Sequence, residues 1–194
     1  MRTNDSSWRT VDIVVAAAIA IAFGVVFWAW NQVWAAATPA FAAVPPAQNV
    51  LYGVWLVPAV LAGLIIRKPG AALFTELVAA SVSATLGSQW GLDTLVSGAL
   101  QGLGAEIVFF AARYRVWTMV VAILAAVGTA VAAWIHDTPL YYPDLGIDQQ
   151  LLIGAFMVVS AVIIAGVGSW LLMRSLVQTG VLAQFPAGRA QTRI

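Results

Sequence analysis

Two carboxylates, Glu76 and Glu106, fall inside long apolar stretches of this chain. At the centre of a membrane helix each would cost on the order of 3 kcal/mol, so neither can face lipid without a partner or a ligand. A carboxylate so placed can serve as counter-charge to a cationic solute or as a proton site. The plainer alternative is a structural carboxylate bonded to neighbouring helices. Glu76 follows Lys68 by eight residues and Glu106 precedes Arg113 by seven. At the helical rise per residue both lie roughly 10–12 Å from the same end of their helices, a depth at which they could share one cavity.

Other polar groups recur at helical spacing around them. Ala80, Ser83 and Gly87 follow Glu76 as a small, polar stripe that leaves room for a ligand or a neighbouring backbone. Asp93, Ser97 and Gln101 share a face with Gly104 or Ala105, and Gln101 offers two donors and an acceptor near mid-membrane. Its other reading is an interhelical hydrogen bond. Asn31, Trp34, Tyr52, Trp55 and Trp90 could line a pocket at the opposite end, where aromatic planes hold a flat heterocycle or cation and amides orient it. His136-Asp137 reads as a wet surface or capping pair.

The remaining chemistry is narrow. The chain has no cysteine and one histidine, which argues against metal sites and cysteine nucleophiles, and no cofactor motif is present. It contains no P-loop, no Ser/His/Asp arrangement and no HExxH, so it is expected to be neither an ATPase nor any other enzyme. A net charge of +1, with nine scattered Lys and Arg, does not suit nucleic acid.

The elements that must position these groups are membrane helices. Sixty-two per cent of residues are hydrophobic and 9% charged, against about a quarter charged in soluble proteins. Polar breaks divide the 194 residues, read as a single transmembrane domain, into six candidate spans at about 11–37, 50–66, 70–86, 94–112, 116–135 and 150–176. The first, preceded by Arg2 and Arg9, is too long for a signal-peptide core and reads as a retained span. Thr38-Pro39 and Pro45-Pro46 end it, Arg67-Lys68-Pro69-Gly70 forces a turn, and Pro139 with Pro143 interrupts the connection after span five.

With this division all nine cations fall on one side: Arg2, Arg9, Arg67, Lys68, Arg113, Arg115, Arg174, Arg189 and Arg193. The positive-inside rule then places both termini in the cytoplasm, in the inner (plasma) membrane. Ala16, Ala20 and Gly24 recur every fourth residue in span one, with Ala18 and Ala22 on an adjacent strip, forming a close-packing surface for a helix of this protein or of a partner.

The stretch 53–114 carries a more specific signal: Gly53-x-Trp55, the run Ile66-Arg67-Lys68-Pro69-Gly70-Ala71-Ala72, Glu76 with Ala79-Ala80, Gly87, and Gln101-Gly102-Leu103-Gly104-Ala105-Glu106. It resembles the YkoE-type substrate-binding (S) components of energy-coupling factor transporters, associated with thiamine or its hydroxymethylpyrimidine precursor. The resemblance implies an all-α, six-helix S component that captures its vitamin from outside. Transport would then need a membrane coupling subunit and ABC-type ATPases. It implies further that an alanine-rich AxxxA face on the first helix docks on the coupling subunit, a role that Ala16 and Ala20, with Gly24, would fill. For such a ligand the expected pocket is Glu76 and Gln101 with Tyr52, Trp55 and Trp90, then Asn31, Trp34 and Glu106. The segment 88–93 departs from the family pattern and could reshape the pocket. The competing expectation is a self-sufficient small transporter or channel that moves protons or cations past Glu76 and Glu106.

Overall fold

The computed structural model describes residues 7–189, so two of the cations that orient the chain, Arg2 and Arg193, lie outside the described residues. The described chain is helical throughout. Helix α1 (Thr10–Ala37) is followed by a 3-10 turn (Thr38–Phe41) and a 3-10 helix (Pro45–Leu56) that runs directly into α2 (Val57–Ile66). Helices α3 (Ala71–Thr85), α4 (Asp93–Ala111) and α5 (Met119–Tyr141) come next. Helix α6 (Ile147–Ser160) continues through a π-helical segment (Ala161–Gly168) into α7 (Ser169–Gln178), and a short α8 (Pro186–Arg189) ends the described chain.

Each of the six expected spans corresponds to one of these helical rods. Five are long and apolar enough to cross a bilayer: Thr10–Phe41, Pro45–Ile66, Asp93–Ala111, Met119–Tyr141 and Ile147–Gln178. The protein is therefore a helical membrane protein. Helix α3, with 15 residues, reaches only about 22 Å at 1.5 Å per residue, less than the ~30 Å of bilayer hydrocarbon.

The centre of the bundle is α2. Its sequence is apolar on every side, which suits a helix surrounded by others, and all ten of its residues are buried. The turn after it uses Arg67 (φ 58°) and Gly70 (φ 85°) in the left-handed region. Burial pushes the Arg67 guanidinium down to about 10, and the guanidinium lies 5.4 Å from the Trp117 ring centre. Helices α4 and α5 pack through glycines: a Cβ on Gly128 would stand 2.5 Å from the Gly104 carbonyl oxygen, an approach that only glycine permits.

The small-residue stripe of α1 requires a correction. Ala16 and Ala20 are fully buried and Gly24 is buried with them. A Cβ on Gly24 would lie 2.5 Å from Val82 Cβ and 2.9 Å from the Ala79 carbonyl oxygen of α3. The stripe is consumed by packing within the chain, so it is not open for docking a partner. Ala18 and Ala22, on the neighbouring strip, are exposed.

Near the cation-rich end, Asp12 is fully buried and holds α1 to the α2–α3 turn. It accepts hydrogen bonds from Arg9 Nη2 at 2.7 Å and Lys68 Nζ at 2.7 Å, and Lys68 also donates to the Ser7 carbonyl. Nothing in the linear pattern singled out this residue, since a carboxylate in the first turn of a helix reads as a simple cap.

A second correction concerns span five. The chain does not break at Pro139; α5 continues through it to Tyr141. The Thr138 hydroxyl donates to the Trp134 carbonyl at 2.6 Å within this last stretch. The extension puts Asp137 and Tyr141 one turn apart on one face.

Candidate functional site

The local winding of the segment before α2 determines one wall of the site. Pro45-Pro46 opens a 3-10 helix of twelve residues, and at three residues per turn Asn49, Tyr52 and Trp55 stack on a single face. The helix is held from the side by Ser160, the last residue of α6. Its hydroxyl donates to the Val50 carbonyl at 2.5 Å and accepts from the Gly53 N–H at 2.8 Å. Ser169 makes a second tie, donating to the Val57 carbonyl at 3.4 Å. Nine residues are about 2.5 turns of a regular α-helix and would put Ser160 and Ser169 on opposite faces. The wider i→i+5 winding between them turns both towards the same neighbour.

These elements enclose a cavity of about 220 Å³ at the end of the bundle opposite the Arg67–Gly70 turn. Three helices contribute side chains at helical spacing: Phe27, Asn31 and Trp34 from α1, Glu76, Ala80 and Ser83 from α3, and Ser97 with Gln101 from α4. Asp137 and Tyr141 come from α5, Trp90 from the turn before α4, and Asp93 from the first turn of α4. The Trp55 ring is central to the aromatic wall, with centroids 5.2 Å from Trp34, 5.3 Å from Tyr52 and 5.4 Å from Trp90. Asn31 fixes that ring by accepting from Trp55 Nε1 at 3.1 Å, and donates to Ser88 Oγ at 3.3 Å.

Glu76 is fully buried. Its Oε2 accepts the Ala59 N–H at 2.8 Å, a donor in the first turn of α2. Among the described residues its Oε1 has no hydrogen-bond partner, and neither does the buried Ser83 Oγ. An orphaned buried carboxylate oxygen is costly unless a ligand satisfies it. Gln101 Nε2 donates to Ser97 Oγ at 2.7 Å and to Tyr52 Oη at 3.1 Å, and Tyr52 Oη donates to Asp137 Oδ2 at 2.5 Å. At the rim His136 lies between two carboxylates, with Nδ1 2.8 Å from Asp137 Oδ1 and Nε2 3.2 Å from Asp93 Oδ1. Tyr142 lines the same rim, and burial together with the Asp137 charge pushes its hydroxyl above the ordinary tyrosine value.

Of the expected ligand residues, Glu76, Gln101, Tyr52, Trp55, Trp90, Asn31 and Trp34 all line this cavity. Glu106 does not. Its Oε1 accepts from the Gly70 N–H and the Tyr114 hydroxyl, each at 2.7 Å, and its Oε2 from the N–H groups of Ala72 at 3.1 Å and Leu73 at 3.3 Å. It caps the N-terminus of α3 from a neighbouring helix, where free N–H groups and the macrodipole favour an anion. Burial and this bond push the Tyr114 hydroxyl well up. Glu106 therefore sits at the Arg67–Gly70 turn and Glu76 in the cavity towards the other end of the bundle, so the two carboxylates share neither a depth nor a cavity.

Asp137 was missed as a site residue, because a His-Asp pair next to a proline reads as the wet end of a helix. Tyr141 was missed for the same reason. The signal available was their i, i+4 spacing, had the helix been carried through Pro139. Among the described residues, no group of three His, Cys, Asp or Glu side chains could hold a metal ion.

Comparison with known proteins adds three findings. The family model described as "ABC-type cobalt transport system, permease component" matches residues 11–132. The chain is 35% identical over 184 residues to the "Putative HMP/thiamine permease protein YkoE" of Bacillus subtilis (strain 168), covering 94% of this chain and 92% of that protein. It is also similar to a solved structure, "Crystal structure of an S-component of ECF transporter", with a TM-score of 0.91 and 34% identity over 96% of this chain and 94% of that one.

Proposed function

The chain belongs to the YkoE-type S components of energy-coupling factor transporters, and from that premise we propose that its cavity captures thiamine or hydroxymethylpyrimidine for uptake powered by partner subunits. The observation that carries this reading is the unpartnered Oε1 of the fully buried Glu76 in an aromatic-walled cavity. Thiamine brings a fixed positive charge and two flat rings. Coulomb attraction to a carboxylate strengthens away from water, and aromatic faces hold both rings. Glu76, Gln101, Tyr52, Trp55, Trp90, Asn31 and Trp34 are the proposed ligand contacts.

A cobalt cargo, which the matching family description would suggest, fits this cavity less well. Among the described residues no three His, Cys, Asp or Glu side chains are placed to hold a metal ion, and the cavity sets its carboxylates Glu76, Asp93 and Asp137 among indoles, amides and hydroxyls, whereas a cobalt ion is best served by converging imidazole, thiolate or carboxylate donors. An ion path through Glu76 and Glu106 fares no better, since the Glu106 oxygens are already occupied by backbone donors.

The chain would act with a membrane coupling subunit and ABC ATPases, contributing no ATP hydrolysis itself. Its termini would be cytoplasmic by the positive-inside rule, so that the cavity opens outward. Docking on the coupling subunit would use the exposed Ala18-x-x-x-Ala22 strip of α1 in place of the buried Ala16, Ala20 and Gly24.

Calorimetric titration of the detergent-purified chain alone with thiamine and with hydroxymethylpyrimidine tests the proposal. Tight one-to-one binding of either is expected. Absence of heat with both, in a sample shown to be folded, would overturn it.

A further inference from the structure

Four side chains from three elements form a hydrogen-bonded relay whose direction is fixed. The chain runs from His136 through Asp137 and Tyr52 to Gln101. Asp137 stands beside the His136 imidazole, and as a carboxylate it only accepts. The single proton of Tyr52 must therefore point at Asp137 Oδ2, 2.5 Å away. The tyrosine oxygen is then left to accept, from the Ser97 hydroxyl and from a Gln101 N–H across 3.1 Å. The other Gln101 N–H goes to Ser97 Oγ at 2.7 Å.

With both amide protons engaged, Gln101 has only its Oε1 to offer a ligand. Reversing the amide would bring its carbonyl against the tyrosine oxygen with no proton between them. Among the described residues Glu76 Oε1 is a further buried acceptor of the cavity without a hydrogen-bond partner, so both positions call for donors.

We infer that Asp137, acting through Tyr52, is a positioning residue that sets the specificity of the cavity. It orients Gln101 to select a ligand carrying an exocyclic amino group, and to reject the same ligand with a carbonyl oxygen at that place. The inference rests on the reading that the cavity takes an aminopyrimidine. A site built to pair with an N–H group discriminates strongly against an analogue lacking it, because its own acceptor is left stranded.

The test titrates the wild-type chain, Tyr52→Phe and Asp137→Ala with thiamine and with the analogue whose pyrimidine amino group is replaced by oxygen, alongside thermal unfolding of each. The wild type should prefer the amino ligand by on the order of 100-fold. Tyr52→Phe removes one oxygen and releases the amide, so the preference should fall to within about fivefold. Asp137→Ala frees the tyrosine proton for Gln101 Oε1, turning an amide N–H into the cavity, and the preference should vanish or reverse. A purely structural role would weaken both ligands alike and leave the ratio unchanged. An unchanged ratio in the folded variants, or no discrimination by the wild type, overturns the inference alone. Binding of neither ligand by the folded wild type removes the vitamin-capture reading and this inference with it. Should Asp137→Ala fail to fold, Tyr52→Phe decides the matter.

Discussion

Replacing Glu76 with glutamine removes one charge from the cavity with little change in shape, and the amide oxygen can still accept the Ala59 N–H. A ligand cation ~4 Å from the carboxylate gains about 4 kcal/mol at an effective dielectric constant near 20. Desolvating the cation offsets part of this gain, so the expected net loss of thiamine binding is about 2–4 kcal/mol, or ~30- to 1000-fold in Kd. Neutral hydroxymethylpyrimidine loses at most one hydrogen bond, about 1 kcal/mol or roughly fivefold. Without ligand the sign reverses. Glu76 is fully buried with one oxygen unpartnered, so the amide should stabilise the empty protein by about 1–2 kcal/mol and raise its Tm by several degrees. Calorimetry with both ligands and thermal unfolding of the empty protein measure all three effects. Equal losses for the two ligands, or an unchanged thiamine affinity, would refute a charge-pairing role for Glu76.

Glu106→Gln turns an amide N–H towards the donors of the α3 N-terminus; stability should fall by about 2 kcal/mol while Kd stays within about threefold, as thermal unfolding and titration of the same sample would reveal. A large loss of affinity at unchanged stability would return Glu106 to the binding site. Ser160→Ala strands the Gly53 N–H and loosens the 3-10 helix that carries Tyr52 and Trp55. It should cost about 1–3 kcal/mol in an unfolding measurement and weaken both ligands together. Ala18→Leu with Ala22→Leu should leave binding intact and abolish co-purification with the coupling subunit; undiminished co-purification would place the docking face elsewhere.

Composition, hydropathy and the placement of prolines determined the membrane setting, the all-helical fold and the polar residues worth testing. These properties are local: an apolar run of given length and a Pro-Gly turn mean much the same wherever the neighbours lie. The residues of the aromatic wall were legible too, since large aromatics and amides clustered near one end of their helices. What periodicity cannot specify is the neighbour that covers a given face. Glu76 and Glu106 look alike in the chain, yet only the packed bundle gives one a cavity and the other the N-terminus of α3. Ala16, Ala20 and Gly24 read equally well as an inner or an outer interface, because a small-residue stripe serves any close backbone; α3 takes it. Asp137 became part of the site only because α5 runs on through Pro139, and the 3-10 and π windings that bring Tyr52, Ser160 and Ser169 together exist because the two segments hold each other. Those decisions belong to tertiary structure, since each depends on a hydrogen-bonding or packing partner far away in the chain.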